Sequence, residues 1–344
     1  MTKSICYHGF LGGAWSMGRV AYYLFTYLNK HPGYEAYFLP SRGDSMFGRW
    51  DEAITARITT ASKAAFDQSI RFSSVREARP PDLAKLNSTW LFYELNSLPK
   101  EIVRDINAND LVYATSTFVK NVFVAAKVTV PVQVMGHGFD PAFYTFKPRK
   151  KDRPFHFLCV AEHTPRKNLP LLIQCFEKAF PSSDDVCLTL KVGAHGTRGL
   201  RKYIKRPQRV RLWQGTLEEE RQLAALYYYA HCFVLPTRGE GFGMPMLEAM
   251  ATGLPVIVTD YGGHLDFCND ANSFLIHNRG LVDSDPACFP NVRSQWADPD
   301  ADHLIHLMRE VYENYDRALA KAKLAYTSVK NKWTWKAQLG KVFP

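Results

Sequence analysis

The segment Cys232-Phe-Val-Leu-Pro-Thr-Arg-Gly-Glu240-Gly-Phe-Gly-Met-Pro-Met-Leu-Glu248-Ala-Met-Ala-Thr-Gly253-Leu-Pro255-Val-Ile-Val-Thr constrains this chain more than any other. Its apolar opening, Cys232 to Leu235, reads as a buried strand. Gly239, Gly241 and Gly243 then make a loop, and Pro245 stands where a helix should begin, since its missing N–H is not needed in a first turn. Gly253 and Pro255 end that helix, and Pro255 to Thr259 reads as the next strand. A strand end, a glycine loop and a helix N-terminus together expose backbone N–H groups and favour an anion. The glycines also let a ligand approach the backbone closely. Glu240 and Glu248 frame the loop. A carboxylate repels phosphate, so both suit the neutral, hydroxyl-bearing parts of a phosphorylated ligand. A solvated carboxylate explains either one alone, but not the whole string.

The rest of the chain alternates strand-like and helix-like stretches, which predicts parallel sheets covered on both faces. A strand over Ser4–Tyr7 leads through Gly9, Gly12 and Gly13 to a helix over Ser16–Leu28, with Arg19 in its first turn. Further strands are expected at Glu35–Leu39, Trp90–Tyr93 and Leu111–Ala114, and helices at Glu52–Phe66 and Lys100–Ile106. Pro141–Pro154, with three prolines and a basic run, reads as a linker. Beyond it the rhythm restarts. Strands are expected at Phe157–Ala161, Val186–Val192 and Val210–Leu212, with helices at Leu169–Ala179, Leu217–Tyr229 and Pro245–Ala251. Two such modules predict two α/β domains, with ligands at the carboxyl ends of their strands and in a cleft between them.

A chain of 344 residues has room for two domains. No leading apolar segment resembles a signal peptide, and the longest apolar stretch, Leu226–Pro236, is too short to span a bilayer. The expectation is a cytoplasmic protein, with a membrane surface as a peripheral partner. Seven cysteines are scattered singly, without metal spacing, and read as small core residues of a protein in a reducing compartment. The net charge of +10 concentrates in two clusters. One holds Lys147, Arg149, Lys150, Lys151 and Arg153. The other holds Arg198, Arg201, Lys202, Lys205, Arg206, Arg209 and Arg211. Each alone reads as a solvated loop, while the pair leaves an anionic partner open, nucleic acid included. Asp283-Ser-Asp285 and Asp298-Pro-Asp300 have a metal-like spacing but lie in late polar loops, and no metal is assigned to them. His163, His195 and His264 are expected to be local hydrogen-bond partners.

The Glu-x7-Glu spacing of Glu240 and Glu248 resembles the signature of family 4 retaining glycosyltransferases. The likeness continues through Ala249-Met-Ala-Thr-Gly-Leu-Pro-Val-Ile-Val into Tyr261-Gly262-Gly263. Pro165-Arg166-Lys167-Asn168, His137-Gly138-Phe139-Asp140 and the tail Trp333-Thr-Trp335-Lys-Ala-Gln-Leu are similar to further elements of that family. The resemblance implies a GT-B fold: two Rossmann-like domains facing across a cleft, with a final helix crossing back. It places an acceptor domain at 1–148, completed by 330–344, and a nucleotide-sugar domain at 149–329.

What the resemblance implies for single residues follows. Glu240 contacts donor-sugar hydroxyls, helped by Gly241, Met244 and the N–H groups of Phe242 and Gly243, and Glu248 holds the ribose. Lys167 binds the diphosphate and stabilises charge on the leaving group. Gly12 and Gly13 admit the donor phosphates or the acceptor, and Arg211 and Leu212 flank the nucleobase. His137 belongs to the turn motif. Two positions depart from the family. Ala161-Glu162 stands in place of Gly-Arg, so Arg166 or Arg19 is expected to supply the second cation. Glu94 occupies the position of a common His and reads as an active-site carboxylate. The implied activity is hexosyl transfer from a nucleotide-diphosphate sugar to a glycan, lipid-linked or other acceptor, with retention and without metal or cofactor. Alternatives that keep the fold are an epimerase or hydrolase, a binding subunit, or a transferase acting on a hydroxylated DNA base. A nicotinamide-dependent dehydrogenase is disfavoured, since Gly9-Phe-Leu-Gly12-Gly13 lacks the GxGxxG pattern.

Overall fold

A computed structural model of the chain describes residues 2–9, 16–40, 66–80, 82–151, 154–182, 185–193, 196–215, 217, 219–286 and 292–344. Gly12, Gly13, Arg153, His195, Cys288 and the helix expected over 52–65 lie outside the described residues. The chain divides into two compact units, Met1–Gly138 with Trp333–Pro344, and Phe139–Lys332.

The first unit is built on a six-stranded parallel sheet: β1 (Lys3–Gly9), β2 (Tyr34–Pro40), β3 (Phe66–Ser74), β4 (Ala84–Phe92), β5 (Leu111–Ala114) and β6 (Val132–Val134). Their order is β2-β1-β3-β4-β5-β6. Phe66, expected to end a helix, instead opens β3 and pairs with Ala84. The Ser16–Lys30 helix packs on this sheet. The C-terminal Trp335–Leu339 helix belongs to the same unit. Trp335 stacks on Tyr23 with ring centroids 4.9 Å apart, and the Tyr27 hydroxyl donates to the Phe343 carbonyl at 2.8 Å. Gly138 lies against the Thr334–Trp335 backbone so closely that a Cβ there would overlap it.

The second unit carries β7 (Phe155–Val160), β8 (Val186–Val192), β9 (Val210–Gln214), β10 (Cys232–Leu235), β11 (Val256–Thr259) and β12 (Phe274–Ile276), all parallel, in the order β12-β11-β10-β7-β8-β9. A two-stranded antiparallel ribbon, β13 (Asn278–Asp283) with β14 (Gln295–Pro299), is added. The central strands are fully buried apolar runs, as a parallel sheet covered on both faces requires. Relative to chain order the sheet runs 3-2-1-4-5-6, and its direction of growth reverses between β7 and β10. Loops leaving the carboxyl ends of those two strands diverge to opposite faces and leave a crevice.

The segment expected as a linker is instead a strap fastened to this second unit. Tyr144 is buried against Tyr227, and the Arg149 guanidinium donates to the carbonyls of Lys147, Tyr227, Ala230 and Thr252. The second basic cluster is corrected in the same way, because Arg209 is buried and donates to the carbonyls of Val186 and Phe180. Both arginines brace backbone carbonyls of their own unit rather than solvate loops. No helix among the described residues is long and apolar enough to cross a membrane. The six described cysteines are free and buried, and burial raises their thiols, that of Cys6 to about 12.

Candidate active site

The crevice between β7 and β10 brings together residues that are far apart in sequence. After β7 the chain turns through a single 3-10 turn, Pro165–Lys167, and Asn168 takes a left-handed conformation before the Leu169–Ala179 helix starts. After β10 the chain enters the glycine loop. The two loops are sewn together: the Arg238 N–H donates to the Arg166 carbonyl at 2.8 Å, and the Arg166 guanidinium donates to the Gly239 carbonyl at 2.5 Å. A third turn joins them where the Gly263 N–H donates to the Glu240 carbonyl at 2.7 Å.

At the centre of this knot Lys167 Nζ lies 2.6 Å from Glu240 Oε1, with Arg166 3.4 Å from the same oxygen. Glu240 is 5% exposed. Burial alone would raise its carboxyl, but the Lys167 and Arg166 charges and the Lys167 hydrogen bond outweigh burial and hold it at about 2. Glu240 is therefore an anion at any ordinary pH, able only to accept hydrogen bonds.

The Met244–Ala251 helix follows at once. Its N-terminal cap is Gly243, at φ +97°, where a Cβ would sit 2.6 Å from Met246 Sδ and 2.9 Å from His264 Cβ. Phe242 and Met244 are buried beside it. Glu248, one turn into the helix and 2% exposed, accepts a hydrogen bond from the Tyr227 hydroxyl at 2.7 Å. Tyr227 is the residue of this site that sequence reading missed, whereas His264 is the local hydrogen-bond partner it was expected to be. Three successive tyrosines, 227 to 229, do not reveal which one turns inward, and only burial singles out Tyr227. His264 Nε2 lies 2.7 Å from the Thr259 carbonyl, which fixes Nε2 as the donor and His264 as a clamp on the turn beneath Gly243.

Arg211 and Leu212 are not gathered into this knot. They lie mid-way along the edge strand β9, paired with Thr189 and Leu190, and the Arg211 charge acts on His156 near the start of β7. Glu162 rests over Gly193 at the carboxyl ends of β7 and β8, where Lys191 donates to the Gly215 carbonyl. Arg19, Glu94 and His137 belong to the first unit. Glu94 is half-buried just past β4. His137 is enclosed by Phe72, Trp90 and Trp335, and burial, with the nearby Arg19 charge, lowers its imidazole to about 3. That enclosure makes it a neutral packing element. Asp298 pairs with Arg279 at 2.6 Å and Asp300 caps the Ala301–Glu313 helix, so each acid of that DxD spacing has structural work. Among the described residues no group of three or more His, Cys, Asp or Glu side chains is arranged to hold a metal ion.

Residues 154–288 match the family described as Glycosyl transferases group 1. A putative glycosyltransferase of a Sulfolobus islandicus filamentous virus is 24% identical over 161 residues, 44% of this chain and 42% of that protein. The sulfoquinovosyl transferase of Arabidopsis thaliana is 30% identical over 117 residues, 33% of this chain and 22% of that one. The matched part thus spans less than half the length of these relatives. Anabaena HepE, solved with UDP and glucose, superposes with a TM-score of 0.71 over 99% of both chains at 14% identity, a likeness of fold. Residues 154–288 therefore form a glycosyl transferases group 1 domain, and the chain as a whole has the GT-B fold of two Rossmann-like units.

Proposed function

We propose that this chain is a retaining, metal-independent hexosyltransferase that takes its sugar from a nucleotide-diphosphate donor and passes it to a glycan or lipid-linked acceptor. The observation that carries this reading is the Lys167–Arg166–Glu240 cluster beside the capped Met244–Ala251 helix. Cations and helix N–H groups suit a diphosphate. A permanently ionised Glu240, with Gly241 and the Phe242 and Gly243 amides, suits sugar hydroxyls. Glu248, oriented by Tyr227, suits the ribose diol. In the reaction the bond from the anomeric carbon to the diphosphate oxygen breaks. The acceptor oxygen bonds to the same carbon on the same face, and its proton passes to the departing diphosphate. Lys167 and Arg166 stabilise the charge developing on that leaving group in place of a metal ion. Glu94 is assigned to the acceptor side. Arg19 and the Gly12–Gly13 loop are assigned to donor phosphates.

The nucleic-acid alternative loses support because the guanidinium groups of the half-buried Arg149 and the buried Arg209 are engaged by carbonyls, which removes one arginine from each basic cluster. A thermal-shift screen of nucleotide sugars on the wild type, Glu248→Ala and Lys167→Ala tests the donor site. A donor that stabilises the wild type and not the variants supports it, and no stabilisation by any nucleotide sugar sinks it. The anomeric configuration of the product, read by NMR with and without a chelator, tests retention and metal independence.

A further inference from the structure

The basic strap around Phe146 has no part in that chemistry, yet it is built with care. Phe146 lies over Gly253, where φ is +72° and a Cβ would come within 2.6 Å of the phenyl ring. The ring also packs 5.1 Å from Tyr326 and remains 36% exposed. Beside it a cavity of about 270 Å³ is lined by Phe146, Lys147, Pro148, Gly253, Leu319 and Lys323, among others. Lys150 and Lys330 are exposed nearby, and Leu324, one turn from Ala320, is 56% exposed. On the Tyr315–Val329 helix that forms one wall, Lys323 is exposed, while Arg317 pairs with Glu310 at 2.6 Å and Lys321 donates to the Asp270 and Ser273 carbonyls. The half-buried Arg149, fixed to four carbonyls, and the Lys147 N–H, bonded to the Thr252 carbonyl, tie the strap down.

We propose that this face docks on an anionic lipid surface, with lipid headgroups between Lys147 and Lys323 and with Phe146 and Leu324 entering the interface. A part-exposed aromatic and an exposed aliphatic side chain among lysines match the two parts of such a surface, its charge and the apolar layer beneath. A nucleic acid would use the lysines but has no need of an apolar pocket. The proposal is independent of the donor site.

The test is co-sedimentation of the full chain with phosphatidylcholine vesicles with and without phosphatidylglycerol. Single-stranded DNA is run as a competitor. The wild type should sediment with the anionic vesicles alone, and less so as salt is raised. Lys147→Gln/Lys323→Gln should weaken binding about thirtyfold, from roughly fivefold per lysine near a charged surface. Phe146→Ser should weaken it while leaving its salt dependence in place. Both variants should keep the wild-type urea midpoint, which reports an intact fold. Equal sedimentation of wild type and double variant, equal binding to uncharged vesicles, or binding to DNA with none to vesicles would each overturn the proposal.

Discussion

Replacing Lys167 by Met probes the electrostatics of the site, because most of the side chain's length is kept while the ammonium is lost with its charge and its hydrogen bond to Glu240. The Glu240 carboxylate would then stay buried with Arg166, 3.4 Å away, as its remaining counter-charge. Removing one partner of a buried pair costs about 3–5 kcal/mol, and the surviving arginine argues for the lower end. An independent route agrees. A carboxyl held at about 2 instead of its ordinary 4.5 contributes about 3 kcal/mol of stability at neutral pH. The sign follows from the depressed folded value. The contribution is complete above pH 4.5 and is lost as pH falls toward 2. In Lys167→Met burial pushes Glu240 upward, so that acid loss shrinks. Urea denaturation of both proteins at pH ~7 and pH ~3.5 should show a gap of about 3 kcal/mol that narrows on acidification. The double variant Lys167→Met/Glu240→Gln should recover most of the loss at neutral pH. A gap below ~1 kcal/mol at neutral pH, or one unchanged in acid, would refute the account of Glu240 as a paired buried anion.

Three further outcomes follow from named contacts. Tyr227→Phe removes the 2.7 Å hydrogen bond that orients Glu248 and should weaken nucleotide-sugar binding about tenfold by calorimetry. Gly243→Ala forces a Cβ onto a φ of +97° and into His264, and should cost about 2 kcal/mol or more in urea denaturation while abolishing stabilisation by the donor. Arg209→Met should cost about 2 kcal/mol by stranding the Val186 carbonyl and leaving that of Phe180 only the longer bond from Arg206, yet leave donor affinity unchanged. Loss of binding to a DNA oligonucleotide at unchanged stability would instead restore Arg209 to a ligand-facing role.

The second unit was far more legible in sequence than the first. Val186–Val192 and Cys232–Leu235 coincide with their expected bounds, because a strand buried on both faces has to be a continuous apolar run. β3, Phe-Asp-Gln-Ser-Ile-Arg-Phe-Ser-Ser, offers no such run and went unassigned. It is buried all the same, because its polar groups find partners across the sheet. Ser69 donates to Asn87, Ser88 donates to the Ser69 carbonyl, and Gln68 donates to Ser88 and Tyr113. Periodicity cannot register such a ladder, since its stability lies in pairings between strands. The same limit applies at the site. Gly243 and Pro245 announced a helix start, and His264 a local hydrogen bond, while the Tyr227 support of Glu248 depends on how helices pack. Charge was the least readable property, since Arg149 and Arg209 look like any other surface arginine until their carbonyl partners are seen.

The Lys167–Glu240 pair also bears on the proposed donor site. Well-packed apolar residues would stabilise the same knot as well as a buried ion pair, so stability alone does not account for it. On the proposed reading the pair holds each charge for a ligand. Glu240, Lys167 and Arg166 sum to a single positive charge, which leaves the empty site attractive to a diphosphate. A diphosphate that takes the Lys167 ammonium deprives Glu240 of its nearest donor, and a buried carboxylate left short of donors is costly. Sugar hydroxyls next to the phosphates supply those donors. Phosphate and sugar are then recognised through one exchange of partners, and a donor carrying both satisfies the site where bare phosphate does not.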